Sequence, residues 1–454
     1  MDVLGAATAA GQGLSAAAQR VAPSHGLLLL GHELGPVVMG LGLLAAFGGS
    51  MRRSRPVLAA ATFAVLAGAF SFTVPWNPLA DWLGLVALAA AVGFEIGGAL
   101  ATRRALDPAG NAGEIERLRL LHGRTHISCF AGEGGKSGLQ VGGGVVGYQV
   151  RWGVAVAVGD PLTAPGLRKM AVRAFLNLCS GRRWVPCFFQ TDAALRQSYR
   201  DAGFRLFKFG EEAIVEVSTF DLTSPARADA RHELARARRA GLEAVTVWDP
   251  QSPGSLSAEL EQVSRDWLMV RGGREMGFSL GRLRDAVDST THYTVAQDQS
   301  GRVHAFCSWI RMGEDGIALD LIRRRPNAAA GAVDLCIVTA IERVRCDGLE
   351  RLSLGSVPFR ESLGDAPDGR LARGIRARLY ARGGFGYSYR GLSHFKAKFA
   401  SCWETRDVAL PRGLSSLLAL AALIRLHSGT VPPPAAAAAA PPSVPIGLEP
   451  ARLP

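Results

Sequence analysis

The chain has 454 residues, 48% of them hydrophobic, and a formal net charge of +12. That length allows two or three compact units with cores of their own. The pairing of apolar content with basic excess argues against a plain soluble enzyme, because apolar segments call for a membrane and basic excess for phosphates, whether of anionic lipid or of nucleic acid. Seven cysteines, odd in number and scattered, form no C-x-x-C pair and mostly sit in apolar runs such as "WVPCFF" and "DLCIV". Buried free thiols, a reducing compartment and no zinc site are expected.

Three apolar runs open the chain. Residues 26–49 are apolar apart from His32 and Glu33, residues 56–75 carry no charge, and residues 82–102 are apolar apart from Glu95. Each approaches or exceeds the ~20 residues that cross a bilayer. The basic stretch that would open a cleaved signal peptide is missing. "RRSR" separates the first and second runs, Arg103 and Arg104 follow the third, and the loop "SFTVPWNPLAD" has no Lys or Arg. By the positive-inside rule, both basic clusters and everything after residue 104 are expected in the cytoplasm, which makes this a multi-pass protein of the cell membrane. Glu95 reads either as an intramembrane functional acid or, the reading preferred here, as an interfacial residue that snorkels or pairs with a neighbouring helix.

From about residue 115 strand and helix patterns alternate. "WGVAVAVGDP" is a strand closed by a turn, residues 165–181 have helical spacing, "WVPCFFQ" is a short buried strand, and residues 192–203 form a second helix. "FRLFKFGEEAIVEV" reads as paired strands. The order then returns: "IALDLI" is a strand, residues 329–346 a helix, "LERLSLGSV" a strand, a basic helix ends at Tyr380, and "GFGYSYRGLSHFKAKF" closes the unit. Y-x-x-x-G-F ends the second helix each time, at Tyr199 with Gly203 and Phe204 and at Tyr380 with Gly384 and Phe385. A glycine stop followed by a strand-opening aromatic is sensible local chemistry, and its recurrence points to duplication.

Mixed α/β sheets of this order suit the GCN5-related N-acetyltransferase type. The expected organisation is a membrane region at 1–104, a first acyltransferase-like repeat at 115–225 and a second at 226–412. An apolar helix at 413–428, too short to span, packs on the domain or lies at the bilayer surface. A Pro/Ala-rich disordered tail occupies 429–454.

"VAVGDP", "KFGEEAIVEV", "EMGFSLGRL", "ALDLIRR", "AVDLCIV", "LSLGSVPF" and "FKAKFASCWETR" appear in the order seen in phosphatidylglycerol lysyltransferases, the multiple peptide resistance factors and their alanyl-transferring relatives. Over roughly residues 115–410 the chain resembles that family, with "DLIR" where many relatives have Met in third place. The resemblance implies a cytoplasmic tandem acyltransferase-like domain that takes an amino acid from aminoacyl-tRNA and esterifies a hydroxyl of an anionic membrane lipid, usually phosphatidylglycerol. No cofactor is implied. Full-length relatives carry many more spans and a flippase module; with about three spans, this chain is expected to synthesise without translocating.

Such a reaction needs a polarised lipid hydroxyl, a stabilised oxyanion and two polyanions held together. Asp320, in a strand, is the first candidate for acid/base work or for gripping the aminoacyl α-amine. Arg323 would bind a phosphate or stabilise the oxyanion. Glu275, Ser279 and Asp334 would complete the polar pocket. The bland alternative is a structural Asp320–Arg323 ion pair beside the sheet, about even with the functional reading on the residues alone.

"ARADARHELARARRAG" places Arg227, Arg231, Arg236, Arg238 and Arg239 between the two repeats. Three of these, Arg227, Arg231 and Arg238, share a helical face and would form a rail for the tRNA backbone, against the duller reading of a solvated helix partly neutralised by Asp229 and Glu233. Arg324 and Arg325 would widen the phosphate-attracting rim. Lys396 and Lys398 alternate with Phe395 and Phe399 as on a strand with one wet face, serving as phosphate contacts or as edge-strand lysines. Trp403 and Arg406 read as packing and structural pairing. The histidines, including His304 and His394, have no metal spacing.

Two rival readings stay open. A coenzyme-A-dependent N-acyltransferase would need a Q/R-x-x-G-x-G/A loop opening a helix, and "GGKSGLQVGGG" instead precedes a strand. A membrane-anchored binding protein that has lost its chemistry is the other.

Overall fold

The computed structural model describes residues 112–133, 135–247, 255–270, 277–281, 283, 291–361, 367, 369–383, 388–413 and 415–427. The three apolar runs and the Pro/Ala-rich tail lie outside the described residues. Among the described residues no helix is long and apolar enough to cross a membrane. The chain divides into two units, residues 1–106 with 151–153 and residues 107–150 with 154–454, and the second carries the sheet and its helices.

Among the described residues, eleven strands form one mixed sheet. Helix α1 (Ala112–His122) precedes the meander β1 (Ser137–Val141), β2 (Gly144–Arg151) and β3 (Val154–Val158). Helix α2 (Arg168–Arg182) crosses over to β4 (Val185–Asp192), which runs parallel to β3, and α3 (Arg196–Asp201) leads into β5 (Arg205–Glu216). The order then recurs. Helix α4 (Ala228–Arg239), β6 (Glu243–Val247) and α5 (Ser255–Val270) lead to a second meander, β7 (Thr291–Gln297), β8 (Val303–Met312) and β9 (Gly316–Arg324). Helix α6 (Ala332–Cys346) crosses to β10 (Arg351–Pro358), parallel to β9. Helices α7 (Arg370–Arg382) and α8 (Tyr389–Ala397) precede β11 (Cys402–Leu410), and α9 (Ser415–His427) closes the described chain.

Strand order is β1-β2-β3-β4-β11-β5-β10-β9-β8-β7-β6. The last strand of each half therefore sits beside the parallel strand of the other half: β11 on β4, β5 on β10, and β5 and β11 on each other, all antiparallel. This exchange joins the halves into one sheet, and an antiparallel strand on each side of the centre gives both parallel pairs a buried flank. Helix α6 lies on one face, its Leu335, Ile337 and Ile341 packed with Ile317 and Leu319 of β9 and Leu352 and Leu354 of β10. On the opposite face, Leu260 and Val263 of α5 pack with Phe306 and Leu321.

Two expectations need correcting. "FRLFKFGEEAIVEV" is a single twelve-residue strand, β5. The polar stretch that suggests a turn is buried there: Lys208 Nζ meets Glu211 Oε1 at 2.7 Å, and Glu212 pairs with Arg406 of the neighbouring strand at 2.7 Å. "HFKAKF" is the end of α8 and the turn after it rather than a strand, with His394–Ala397 in the helix, Lys398 at its C-cap, and Ser388 capping its start by accepting the Gly391 N–H at 3.1 Å. The first Y-x-x-x-G-F behaves as expected, with Gly203 at φ +90° and the Tyr199 and Phe204 rings packed 6.1 Å apart. Gly384 and Phe385 lie outside the described residues.

Candidate active site

The parallel strands β9 and β10 pair only where Arg351, Leu352 and Ser353 face Gly316, Ile317 and Ala318. Beyond that β10 bulges between Ser353 and Ser356, with Gly355 at φ +76°, and the two strands part. His126, which opens a short 3-10 turn (His126–Phe130), fills the opening. Its Nε2 donates to the Leu319 carbonyl at 2.8 Å and its backbone N–H to Glu212 Oε1 at 2.9 Å. A Cβ on Gly355 would come within 3.1–3.4 Å of the ring, tighter than ordinary contact, and the positive φ adds strain for any other residue. Burial lowers the His126 pKa to about 4, so the ring is neutral, with its proton on Nε2 and a buried Nδ1 that has no hydrogen-bond partner among the described residues.

Asp320 follows Leu319 directly. Across β8, Trp309 faces Leu319 and Cys307 faces Ile322, so Ser308 alone opposes both Asp320 and Leu321. This β-bulge changes the alternation of the strand. Strict alternation would put Asp320 and Arg323, three residues apart, on opposite faces. With the bulge both turn to the face covered by α5. Asp320 Oδ1 accepts the Gly281 N–H at 2.7 Å and Oδ2 the Ser308 hydroxyl at 3.3 Å, while Ser308 Oγ takes the Leu321 N–H at 3.0 Å. The Arg323 guanidinium stacks on Trp267 of α5, 4.1 Å from the ring centroid. Both side chains are buried. An acid and a planar cation are thus fixed on one face by groups from three separate elements.

Two strands away from β9, on β5, lies the centre of a buried charged group. Glu212 receives the His126 N–H, the Ser353 hydroxyl at 2.6 Å and Arg406 Nε at 2.7 Å. Burial raises its pKa, but Arg406 and these donors more than offset that, so it is held below the ordinary carboxylate value. Arg406 also reaches Glu404 at 2.5 Å, which agrees with its expected structural role. Lys396 is buried and donates to the Ser356 carbonyl at 3.1 Å, one residue beyond the glycine that His126 touches. Burial lowers its pKa to about 7, with Glu212 opposing.

The remaining expected residues are spread more widely. Asp334 sits on α6, across the sheet from Asp320, and pairs there with Lys398. Burial raises its pKa even against that lysine. Arg325, just past β9, bonds Glu259 at 2.8 Å and Asp266 at 2.9 Å on α5 and the Val303 carbonyl of β8 at 2.8 Å, while Arg324 is exposed. Arg227 binds the carbonyls of Lys398 and Ala400 at 3.0 Å each, and Arg231 those of Leu222 at 2.7 Å and Ser224 at 2.5 Å. Arg236, Arg238 and Arg239 are exposed, with Arg236 beside Glu233 at 3.0 Å. Ser279 is buried near Asp320's loop and donates to His427 Nε2 at 3.0 Å. Glu275 lies outside the described residues.

Sequence reasoning missed His126, Glu212, Gly281, Ser308, Trp267 and His427. The one available signal was "KFGEE", two consecutive acids in an apolar run. A buried acid of that kind calls for a buried cation.

Residues 116–409 match the family described as "Phosphatidylglycerol lysyltransferase, C-terminal". Among curated relatives, the lysylphosphatidylglycerol biosynthesis bifunctional protein LysX of Mycobacterium avium (strain 104) is 29% identical over 338 residues, 70% of this chain and 29% of that protein. LysX of Mycobacterium tuberculosis (strain F11) is 30% identical over 304 residues, 63% of this chain and 26% of its own length. The chain thus spans under a third of the length of these relatives. Among solved structures, the C-terminal domain of a candidate lysylphosphatidylglycerol synthetase from Agrobacterium fabrum aligns with a TM-score of 0.60 at 26% identity, covering 71% of this chain and 99% of that one. L-PGS from Bacillus licheniformis aligns with a TM-score of 0.58 at 24% identity, over 71% of this chain and 98% of that one, a likeness of fold.

Proposed function

The chain belongs to the phosphatidylglycerol lysyltransferase family, and from that premise we propose that it moves an amino acid from an aminoacyl-tRNA onto a hydroxyl of an anionic membrane lipid, phosphatidylglycerol first among the candidates. The observation that carries this reading is the bulge in β9, which sets Asp320 and Arg323 on one face.

In the reaction the lipid oxygen attacks the carbonyl carbon of the aminoacyl ester. A C–O bond forms, the bond to the terminal ribose oxygen breaks, and the proton lost by the lipid hydroxyl is balanced by one gained by the ribose. Asp320 holds the ammonium of the donated amino acid, since a carboxylate fixed by two donors is a preorganised cation acceptor. Arg323 meets the lipid phosphate or the oxyanion with its planar fork. Lys396, with a pKa of about 7, is matched to take the hydroxyl proton near neutral pH. Arg324 and the exposed Arg236, Arg238 and Arg239 attract the RNA backbone. The rest of the organisation is proposed with it: two acyltransferase-like units at 115–225 and 226–412, and spans at 26–49, 56–75 and 82–102 that keep the domain at the cytoplasmic side of the membrane.

Lipid mass spectrometry on a host expressing the protein, beside an Asp320→Ala variant, tests this reading. A new aminoacylated lipid made only by the intact protein is the expected result and names both substrates. Absence of any new lipid, with good expression and charged tRNA supplied, would overturn it in favour of a coenzyme-A donor or a binding role.

A further inference from the structure

Helix α9 faces two ways. Ala419, Ala422, Leu423 and His427 are buried, and the helix rests against β3, β4 and β11. Leu417, Leu420 and Ile424 are 48%, 44% and 51% exposed. Their i, i+3, i+7 spacing puts them in a single stripe. Arg412 is exposed just before the helix and Arg425 lies in its last turn.

The inner end of α9 reaches the candidate active site. His427 Nδ1 donates to the Leu423 carbonyl at 2.8 Å, and Nε2 accepts the Ser279 hydroxyl at 3.0 Å. The ring packs on Phe189 at 4.8 Å and Phe278 at 5.2 Å. Two residues beyond Ser279, the Gly281 N–H holds Asp320. A short run of hydrogen bonds and backbone therefore links α9 to the carboxylate.

We propose that the outer stripe of α9 lies in the apolar boundary of an anionic bilayer, and that its inner end holds the 277–281 segment so that Asp320 faces the headgroups. This rests on the reading of the acceptor as a membrane lipid. The occupant follows from three features. A 13-residue helix is about 20 Å long, too short to cross a bilayer but suited to lie along it. Basic residues at its two ends complement anionic headgroups. The preceding sequence holds three apolar runs of spanning length, which would keep this helix near a bilayer whatever its own affinity.

The test uses the full chain in vesicles. The two exposed thiols, Cys346 and Cys402, are changed to Ser, and Leu420→Cys carries an environment-sensitive fluorophore. A control keeps Cys346 as the labelled position. In vesicles containing phosphatidylglycerol, the label at position 420 should shift to the blue and be quenched by a lipid-borne quencher, while the label at position 346 is not. A position-420 label that stays water-like on vesicle-bound protein overturns the proposal. So does a blue shift that follows protein concentration instead of lipid, which would mean contact between copies. These readouts need no turnover, so they stand apart from the activity assay. If aminoacylation is also seen, exchanging Leu417, Leu420 and Ile424 for Ser should raise the apparent KM for vesicle-borne acceptor about tenfold. Turnover of a short-chain, water-soluble phosphatidylglycerol should stay unchanged.

Discussion

Gly281→Ala tests the geometry around Asp320 without touching a charged group. A Cβ at this position would lie 2.6 Å from Asp320 Oδ2, 2.9 Å from Oδ1 and 3.0 Å from Cγ, where ordinary contact begins near 3.4 Å. The clash is with the carboxylate itself, which is buried and cannot swing into solvent. Either the loop withdraws and the 2.7 Å bond from the Gly281 N–H is lost, or the carboxylate turns away from Ser308. A hydrogen bond to an ionised acceptor contributes about 1.5–3 kcal/mol. If that orientation is needed in the transition state, the rate falls roughly 10- to 100-fold. Overpacking should lower stability by about 1–3 kcal/mol.

Incorporation of labelled amino acid into extractable lipid, measured as kcat and KM for aminoacyl-tRNA beside a thermal melt, reads both effects. Gly277→Ala is the control, because its added Cβ would come no nearer than 3.7 Å, to the Leu426 carbonyl. A folded Gly281→Ala protein working within twofold of the parent would refute the idea that this bond positions Asp320. An equal loss from Gly277→Ala would refute it too.

Lys396 predicts a pH dependence. Its folded pKa of about 7 lies below the unfolded value of ~10.4, so between those limits the unfolded chain binds more protons and stability rises with pH. Lys396→Met should flatten that rise in denaturant midpoints taken at pH 6.5 and 9.5, and Lys396→Arg should abolish a rate increase centred near pH 7. His126 has a folded pKa of about 4 against ~6.5 unfolded, so the parent loses stability as pH falls through that window. His126→Phe should shrink the loss and, by freeing the Leu319 carbonyl, slow turnover about tenfold at pH 7.5. Arg325→Met removes the partner of Glu259 and Asp266 and should cost about 2 kcal/mol in chemical unfolding. The KM for aminoacyl-tRNA should stay unchanged in that variant. Arg324→Ala should do the reverse, leaving stability alone, raising that KM and reducing the salt slope by about one.

The contrast between Arg324 and Arg325 shows where sequence reading stops. A buried strand was legible in the apolar run "IALDLI", and so was the alternation of strand and helix on each side of it, because both patterns are local properties. Three consecutive arginines look alike in a sequence. In the structure Arg323 stacks on Trp267, Arg324 meets solvent and Arg325 bonds two carboxylates of α5. What separates them is the partner each finds on a helix more than fifty residues upstream, and alternation says nothing about partners. "HFKAKF" failed for a related reason: it alternates like a strand, yet the Ser388 cap and the packing of Phe395 and Phe399 favour a helix, and Lys398 then finds Asp334 instead of a phosphate.

Asp320 and Arg323 show the same limit at the level of strand pairing. Both were named from the sequence, but an odd spacing on a regular strand separates two side chains by the thickness of the sheet. They share a face only because Ser308 opposes two residues of β9 instead of one. No residue type signals such a bulge; it is a property of the pairing between two strands. The chemistry proposed for this face therefore depends on Ser308, whose hydroxyl closes the bulge by taking the Leu321 N–H while donating to Asp320.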